Sequence, residues 1–457
     1  MAEQPKTRFN RIAAPLMETF GINRALALAA VFLISLVLVF AVFWFFHSAP
    51  PHTIVMTGGP PGSTFATNAW RYSKILASNG VTLKILPSEG SLENLQRLQD
   101  RSFHVDIGFV QGGVTNAADG GNLVSLGSVS YQPLMVFCRT STPITLLAEL
   151  KGKRLAIGPV GSGTHSLALT LLDLNGFGTN SGTAFVDLEA ADAANALLED
   201  RVDAVFLMGD SASTQVIRQL LLAPGVQLLD FKQADGYIRR ISYLNKLELP
   251  EGSLDFGKNI PSHDVYLIGP TVELLARPDL HPALSDLLLE AAREIHGNAR
   301  LMQRKGEFPA PLEHDYPISS DASRYYKSGK SFLYRSLPFW LASLMNRILV
   351  VFVPLILVII PGIRIIPALF KLRIRLLIYR KYRALLAIEK DLYGQLTPTA
   401  RKELLSRMED VEKSVGKMKV PASFGDQFYG LRGHINFVRE RLDEEKPEPS
   451  ATINVRQ

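Results

Sequence analysis

Two short stretches of this chain place glycine and small hydroxyl residues where a ligand could be held. One is Thr57-Gly58-Gly59-Pro60-Pro61-Gly62-Ser63-Thr64-Phe65, and the other is Gly158-Pro159-Val160-Gly161-Ser162-Gly163-Thr164-His165. Each joins a β-rich run to a helical pattern. Free backbone N–H groups at a helix start make an anion site. Glycine lets a ligand approach the backbone, and Ser or Thr there caps the helix or bonds the ligand. One such turn alone reads as an ordinary capped helix start. Two of them, one in each half of a repeating pattern, fit a small carboxylate held between two lobes. Gln111, just after a strand ending in Val110, is a third candidate at a strand end. His165 joins the candidates as a helix-start polar residue rather than as a catalytic base.

Other chemistries fail on spacing. A Walker loop needs Gly, four residues and then Gly-Lys-Ser/Thr. Here Gly152-Lys153 is followed by Arg154, and Leu147 stands where the first glycine belongs. Gly158, Gly161 and Gly163 lack the dinucleotide-binding spacing, and Gly161-Ser162-Gly163 is not the nucleophile elbow. The nine histidines form no ligand-like pair, and Asp203, Asp210 and His263-Asp264 form no constellation in sequence. The single cysteine, Cys138, excludes an internal disulfide and a zinc site built on cysteine pairs. A Ser-His-Asp triad is assembled in space, so sequence order does not test it. The expectation is a binding protein with no metal, no cofactor and no catalytic residue.

The elements that must position these turns alternate. Strands are expected at Thr53–Thr57, Val81–Leu86, Asp106–Val110, Leu123–Val129, Arg154–Ile157 and Ala204–Leu207. Helices are expected at Thr64–Ser78, Leu92–Asp100, Thr164–Asn175, Ala190–Asp200 and Pro282–Arg300, with one more between Val110 and Leu123. That alternation implies βαβ units and parallel sheets. Some 290 residues are too many for one such sheet, so a pair of α/β lobes is expected over 50–335. Lobe 1 is assigned to about 50–138 plus 265–335 and lobe 2 to about 139–264, with Leu134–Arg139 and Val265–Ile268 as the hinge. Ligands in such sheets sit at the carboxyl ends of strands.

Apolar segments flank this region. Residues 25–46 carry no charge and end in Trp44-Phe45-Phe46, long enough to cross a bilayer core. The second segment is assigned to 348–366, with its apolar run from Ile348 to Ile363, a start as early as Leu337 left open, and Arg347 placed at its outer interface. The net charge of +6 is concentrated beside these segments. Lys6, Arg8, Arg11 and Arg24 precede the first, and Arg364 to Arg383 follow the second. Both termini are therefore expected in the cytoplasm, with the lobes on the other side, in the periplasm of a Gram-negative host. The same distribution argues against nucleic acid as a partner.

The run Leu150-Lys151-Gly152-Lys153-Arg154-Leu155-Ala156-Ile157-Gly158, leading into Gly161-Ser162-Gly163-Thr164, resembles the TAXI family of TRAP-transporter solute receptors. The first glycine turn, the Asp106–Gln111 strand end and Asp203-Ala204-Val205-Phe206 resemble it as well, and Pro338–Arg383 with Tyr429–Arg441 look like its membrane-anchored branch. The resemblance implies a two-lobed periplasmic-binding-protein (Venus flytrap) α/β fold between two transmembrane helices. It implies capture of a small organic acid of the glutamate or 2-oxoglutarate class, and a TRAP-type permease as partner. Carried onto matching positions, it implies ligand contacts from Ser63, Thr64, Phe65, Gln111, Ser162, Gly163 and Thr164, with Tyr131 added. Phe65 stands where the family's turn usually carries tyrosine, and so offers no hydroxyl.

After Arg383 the pattern is helical. Thr397-Pro398 is a helix-start signal, and two apolar stripes follow, broken by Gly416 and Pro421. An α-helical cytoplasmic domain is expected over 370–443, packed on itself or against an unidentified protein. Disorder is expected over 444–457.

Overall fold

The computed structural model describes residues 24–114, 123–140, 144–177, 182–312, 315–394, 397–418, 420 and 424–444. The N-terminal basic segment, the C-terminal tail beyond 444 and most of the helix expected before Leu123 lie outside the described residues. The chain divides into two compact units, Ala49–Asn346 and Met1–Ser48 with Arg347–Gln457.

Helix α1 (Arg24–His47) precedes the first unit. The unit then runs β1 (Thr53–Thr57), α2 (Thr64–Ser78), β2 (Thr82–Leu86), α3 (Ser91–Gln99), β3 (Ile107–Gln111) and β4 (Val124–Tyr131). It continues with β5 (Met135–Arg139), β6 (Arg154–Ala156), α4 (Gly163–Leu174), β7 (Ala184–Val186), α5 (Ala190–Leu198), β8 (Ala204–Leu207), α6 (Thr214–Leu221) and β9 (Val226–Leu228). It closes with α7 (Ala234–Arg240), β10 (Leu244–Leu249), β11 (Val265–Ala276), α8 (Pro282–His296), α9 (Ser320–Ser328) and α10 (Phe332–Ser336).

Two sheets result, and they share one plan. The first has the path β2-β1-β3-β11-β4, with β10 on the early part of β11; the second has the path β7-β6-β8-β5-β9. In each, the first three strands pair parallel and the next two pairings are antiparallel. The expectation of parallel sheets is thus corrected to mixed ones. The reason is the crossover: β5 enters the second sheet from the first, and β11 enters the first from the second. A strand arriving from the other lobe does not follow a right-handed βαβ connection and pairs antiparallel.

The crossings run side by side. Gln132 N–H donates to Pro270 O at 2.8 Å and Leu134 N–H to Ile268 O at 2.9 Å. The hinge is therefore a narrow two-stranded ribbon at 132–134 and 268–271. The expected boundary after 138 falls too late, because β5 pairs wholly within the second sheet.

Local chemistry sets the helices. In α2, Phe65, Ala69, Tyr72 and Leu76 recur at helical spacing and are all buried. Each large side chain buried this way contributes roughly 1.5–3 kcal/mol. Ser63 starts the helix by accepting from Ala66 N–H at 3.1 Å. Helix α8 starts with Pro282 behind a His281 cap, ends at His296 rather than at Arg300, and joins the first lobe's core beside Ile54 and Tyr72.

One carboxyl lies inside the first sheet. Glu273 of β11 is flanked by Val110 and Ser128, is 2% exposed, and leaves Oε2 without a hydrogen-bond partner. Burial pushes its carboxyl up to about 7, against an opposing Ser125 hydrogen bond. The unfolded group ionises near 4.5 and the folded group near 7. Stability therefore falls as pH rises from 4.5 to 7 and is level above that. Glu273→Gln should remove this slope. Urea melts should show the variant more stable by up to about 3 kcal/mol at pH 8, with no difference at pH 4.

The other unit is helical. Helix α11 (Phe339–Leu392) begins just before it, and α12 (Pro398–Gly416) and α13 (Gly425–Glu444) follow. Among the described residues, Phe339–Gly362 is long and apolar enough to cross a membrane, and Phe32–His47 is a shorter apolar stretch of α1. The apolar part of α11 thus begins at Phe339, near the earlier start at Leu337 rather than at 348. Its side chains are largely uncovered; Val358 is 72% exposed. The Arg347 guanidinium lies over the Phe45 ring at 5.1 Å. Beyond it, Ile378, Leu385 and Ile388 of α11 share a core with Leu404 and Met408 of α12 and Leu431 and Ile435 of α13.

Candidate functional site

The two glycine turns leave equivalent strands, β1 and β6, and enter equivalent helices, α2 and α4. Two further strand ends join them, Gln111 at β3 and Met208-Gly209-Asp210 after β8. Asn94 of α3 fixes the first lobe's share. Its amide donates to Phe109 O at 2.9 Å and to Gly58 O at 2.5 Å, while its oxygen accepts from Thr57 Oγ1 at 2.6 Å. The ends of β1 and β3 are thereby held together.

The lobes meet along this seam by direct backbone contact. Thr64 N–H donates to Gly209 O at 2.9 Å, and Glu93 N–H to Gly161 O at 3.1 Å. Ser63 and Ser213 form an antiparallel bridge. Gln111 Nε2 donates to Gly163 O at 2.9 Å, while Gln111 Oε1 is buried without a partner. Glycine is what permits the approach. A Cβ on Gly59 would stand 2.7 Å from Asp210 O, on Gly90 2.7 Å from Asp210 Oδ2, on Gly161 2.7 Å from Glu89 Cβ and on Gly209 2.7 Å from Thr64 Oγ1. A Cβ on Gly163 would collide with the Gln111 amide.

Asp210 occupies the centre. Its Oδ2 accepts from Gly163 N–H at 2.6 Å and from Ser91 N–H at 3.5 Å. Its Oδ1 accepts from Thr164 Oγ1 at 2.8 Å and Ser211 Oγ at 3.2 Å. Asp210 is fully buried, and burial raises its carboxyl above the usual range against those four hydrogen bonds. The first turn of α4, which the sequence offers to a ligand's anion, is thus taken by a carboxylate of the chain itself. Its N–H groups and dipole suit that charge.

The expected ligand residues separate into three groups. Ser63, Thr64, Gln111, Ser162, Gly163 and Thr164 come together at the seam, all buried except Thr64, which is half-buried. Tyr131 lies apart, its hydroxyl donating to Glu307 Oε1 at 2.8 Å; burial and Glu307 push that hydroxyl up to about 12. Phe65 and His165 turn away. Phe65 packs on Phe109 in the first lobe's core at 5.5 Å between ring centres, because its place in the first turn of α2 faces inward. His165 folds back on its own loop, with Nδ1 3.1 Å from Gly158 O and 3.4 Å from Asp187 Oδ1. Gly209, Gly90 and Ser91 went unnoticed in the sequence, and Asp210 was set aside there as part of no constellation. The signal was present, since each follows the end of a strand.

A cavity of about 560 Å³ opens beside the seam, on the hinge side. Thr64, Ser130, Tyr131 and Gln132 bound it from the first lobe and the hinge. Met135, Ile217, Leu221 and Leu254 bound it from the second. Gln303, Met302 and Arg300, just past α8, complete it, with Arg218 at its edge.

Two α/β lobes of one strand plan, joined by paired strands and closing over a cleft at the strand ends, make the two-lobed fold of periplasmic binding proteins, a solute-binding fold. The sequence profile of the NMT1-like family matches residues 68–281. Solved structures similar to part of this chain include the periplasmic aliphatic sulphonate binding protein SsuA from Escherichia coli. It is 19% identical, with 54% of this chain and 69% of that one covered and a TM-score of 0.34. An ancestral arginine-binding protein bound to arginine is 15% identical over 54% of this chain and 94% of that one, at a TM-score of 0.35. Lipoprotein Tp32 from Treponema pallidum is 16% identical over 52% and 90%, at a TM-score of 0.32.

Proposed function

We propose that this chain is a membrane-tethered receptor that captures a small organic acid between its two lobes outside the cytoplasmic membrane. The observation that carries this is the meeting of equivalent strand ends. Two glycine-lined helix starts, one per lobe, meet at a seam between lobes that the chain itself joins by only two strands. A ligand there would touch both lobes and favour closure. The α1 and α11 helices serve as the tethers, since their uncovered apolar side chains are costly in water and Arg347 sits at the aromatic end of α1. The lobes then lie in the periplasm and both termini in the cytoplasm. Captured solute is delivered to a TRAP-type permease, or its presence is sensed through the α12–α13 bundle and a protein bound there.

Thermal melting of the full chain in detergent against small acids and amino acids tests this. One chemical class should raise stability by about 2.7 kcal/mol at a hundred times its dissociation constant. A second reading, a scaffold that holds no ligand, is favoured by the seam's self-sufficiency, with Asp210 already in the anion position. No shift with any compound in a folded sample would select it.

A further inference from the structure

The seam has little left to offer a small dicarboxylate. Gly163 N–H, Thr164 Oγ1 and Ser91 N–H are all directed at Asp210, Thr64 N–H at Gly209 O, and the Gln111 amide N–H at Gly163 O. A second carboxylate at α4 would face a buried one, and like charges so placed repel strongly. Space between the lobes remains in the cavity at the hinge. Its 560 Å³ lies within the range of about 300–1,000 Å³ that encloses drug-sized ligands, well beyond what a small acid fills.

The lining of that cavity has its own chemistry. Met135, Ile217, Leu221, Leu254 and Met302 supply apolar walls, and Tyr131 and Gln303 supply polar atoms. Two guanidinium groups complete it. Arg218 and Arg300 take part in no ion pair among the described residues; Arg300 Nη2 donates to a neutral partner, Ile295 O, at 3.1 Å. Burial and the nearby Arg71 make the Arg300 charge less comfortable, so an arriving anion would relieve it. An apolar chamber with two unpaired guanidiniums suits an apolar body ending in one acidic group.

We infer that the solute of this receptor is an apolar monoacid seated in the hinge-side cavity, with its acidic group at Arg218 and Arg300, rather than a small dicarboxylate between the glycine turns. The inference rests on the receptor reading and names the substrate class. Closure of the lobes buries such a ligand against α6 of the second lobe and the 300–303 loop of the first. Asp210 holds the seam shut beside it on donors of its own, leaving Arg218 and Arg300 to the ligand's acidic group.

The full chain in lipid nanodiscs, titrated calorimetrically with 4-phenylbutyrate, 4-phenylbutyramide, L-glutamate and 2-oxoglutarate against empty nanodiscs, tests this. Wild type should bind 4-phenylbutyrate and neither dicarboxylate. Ile217→Trp, which fills the chamber, should weaken that binding at least tenfold. Arg218→Gln, an exposed change that leaves the packing intact, should weaken the acid about tenfold and leave the amide unchanged. This second variant decides the matter if the first does not fold. Tighter binding of glutamate or 2-oxoglutarate than of 4-phenylbutyrate, insensitive to Ile217→Trp, overturns the inference and leaves the receptor standing. Binding of none of the four by folded wild type overturns both.

Discussion

Asp210→Ala should cost about 3 kcal/mol of stability in a urea melt of the full chain, whereas Asp210→Asn should cost less than about 1 kcal/mol. The alanine removes the acceptor from Gly163 N–H, Thr164 Oγ1 and Ser91 N–H at once. A buried donor left without a partner costs roughly 1–3 kcal/mol, and Thr164 alone has an alternative, Ser211 Oγ at 3.0 Å. Asparagine keeps the shape and one acceptor, and its amide can donate to the Thr164 and Ser211 hydroxyls. It also removes a buried charge that no cation balances, since every group bonded to Asp210 is uncharged. The pH dependence should agree. Burial raises the folded carboxyl above its unfolded value, so stability is greatest below the unfolded value and declines as pH rises through the carboxylate range. Asp210→Asn should lack that decline. Equal losses in the two variants would mean that the charge itself, not the acceptor, holds the seam.

What could be seen in the sequence was local. The two glycine turns, the helix over Thr64–Ser78 and the strands at Thr53–Thr57 and Ala204–Leu207 stand where periodicity and capping residues put them. Those signals lie within a few residues of one another, so a linear reading captures them. The mixed character of the sheets was not visible. In β11, buried from Leu267 to Ala276, the apolar run looks like any central strand, and only the route of the chain decides which way it pairs. Asp210 was set aside for another reason. An aspartate after a strand reads as a turn residue, and its role appears only when α4 and α3 bring three donors to it. The cavity lies further still from sequence, because its walls come from the hinge, α6, the turn after β10 and the loop after α8.

Gly90→Ala should shift the lobes toward an open form, seen as a larger radius of gyration by small-angle scattering. Two costs coincide there. Gly90 has φ 138° and ψ −148°, a region essentially reserved for glycine, worth of order 1–3 kcal/mol. A Cβ would also stand 2.7 Å from Asp210 Oδ2 and 3.2 Å from Ser162 Cα, both belonging to the other lobe. Local strain cannot be escaped by opening, but the clash can, so the population should move at least tenfold toward open. Gly225→Ala separates the two effects. Gly225 has φ 74° with nothing within 4 Å of a Cβ, so alanine there should lower stability and leave the radius unchanged. An unchanged radius in Gly90→Ala would mean that the seam is softer than its contacts indicate.

The domain begins and ends in its first lobe. Strand β1 opens the first sheet, and Phe339 at the head of α11 belongs to the same core, where Trp340 stacks on His52 at 4.0 Å. The second lobe carries neither end of the domain and hangs from two neighbouring strands. Mechanically, the first lobe is a fixed mount and the second a free arm. Tension along the chain bypasses the arm, and a swing of the arm pulls on neither end. On the receptor reading proposed above, news of capture would therefore travel poorly through the backbone. It is best read by another molecule that touches the arm itself, feeling its surface come and go.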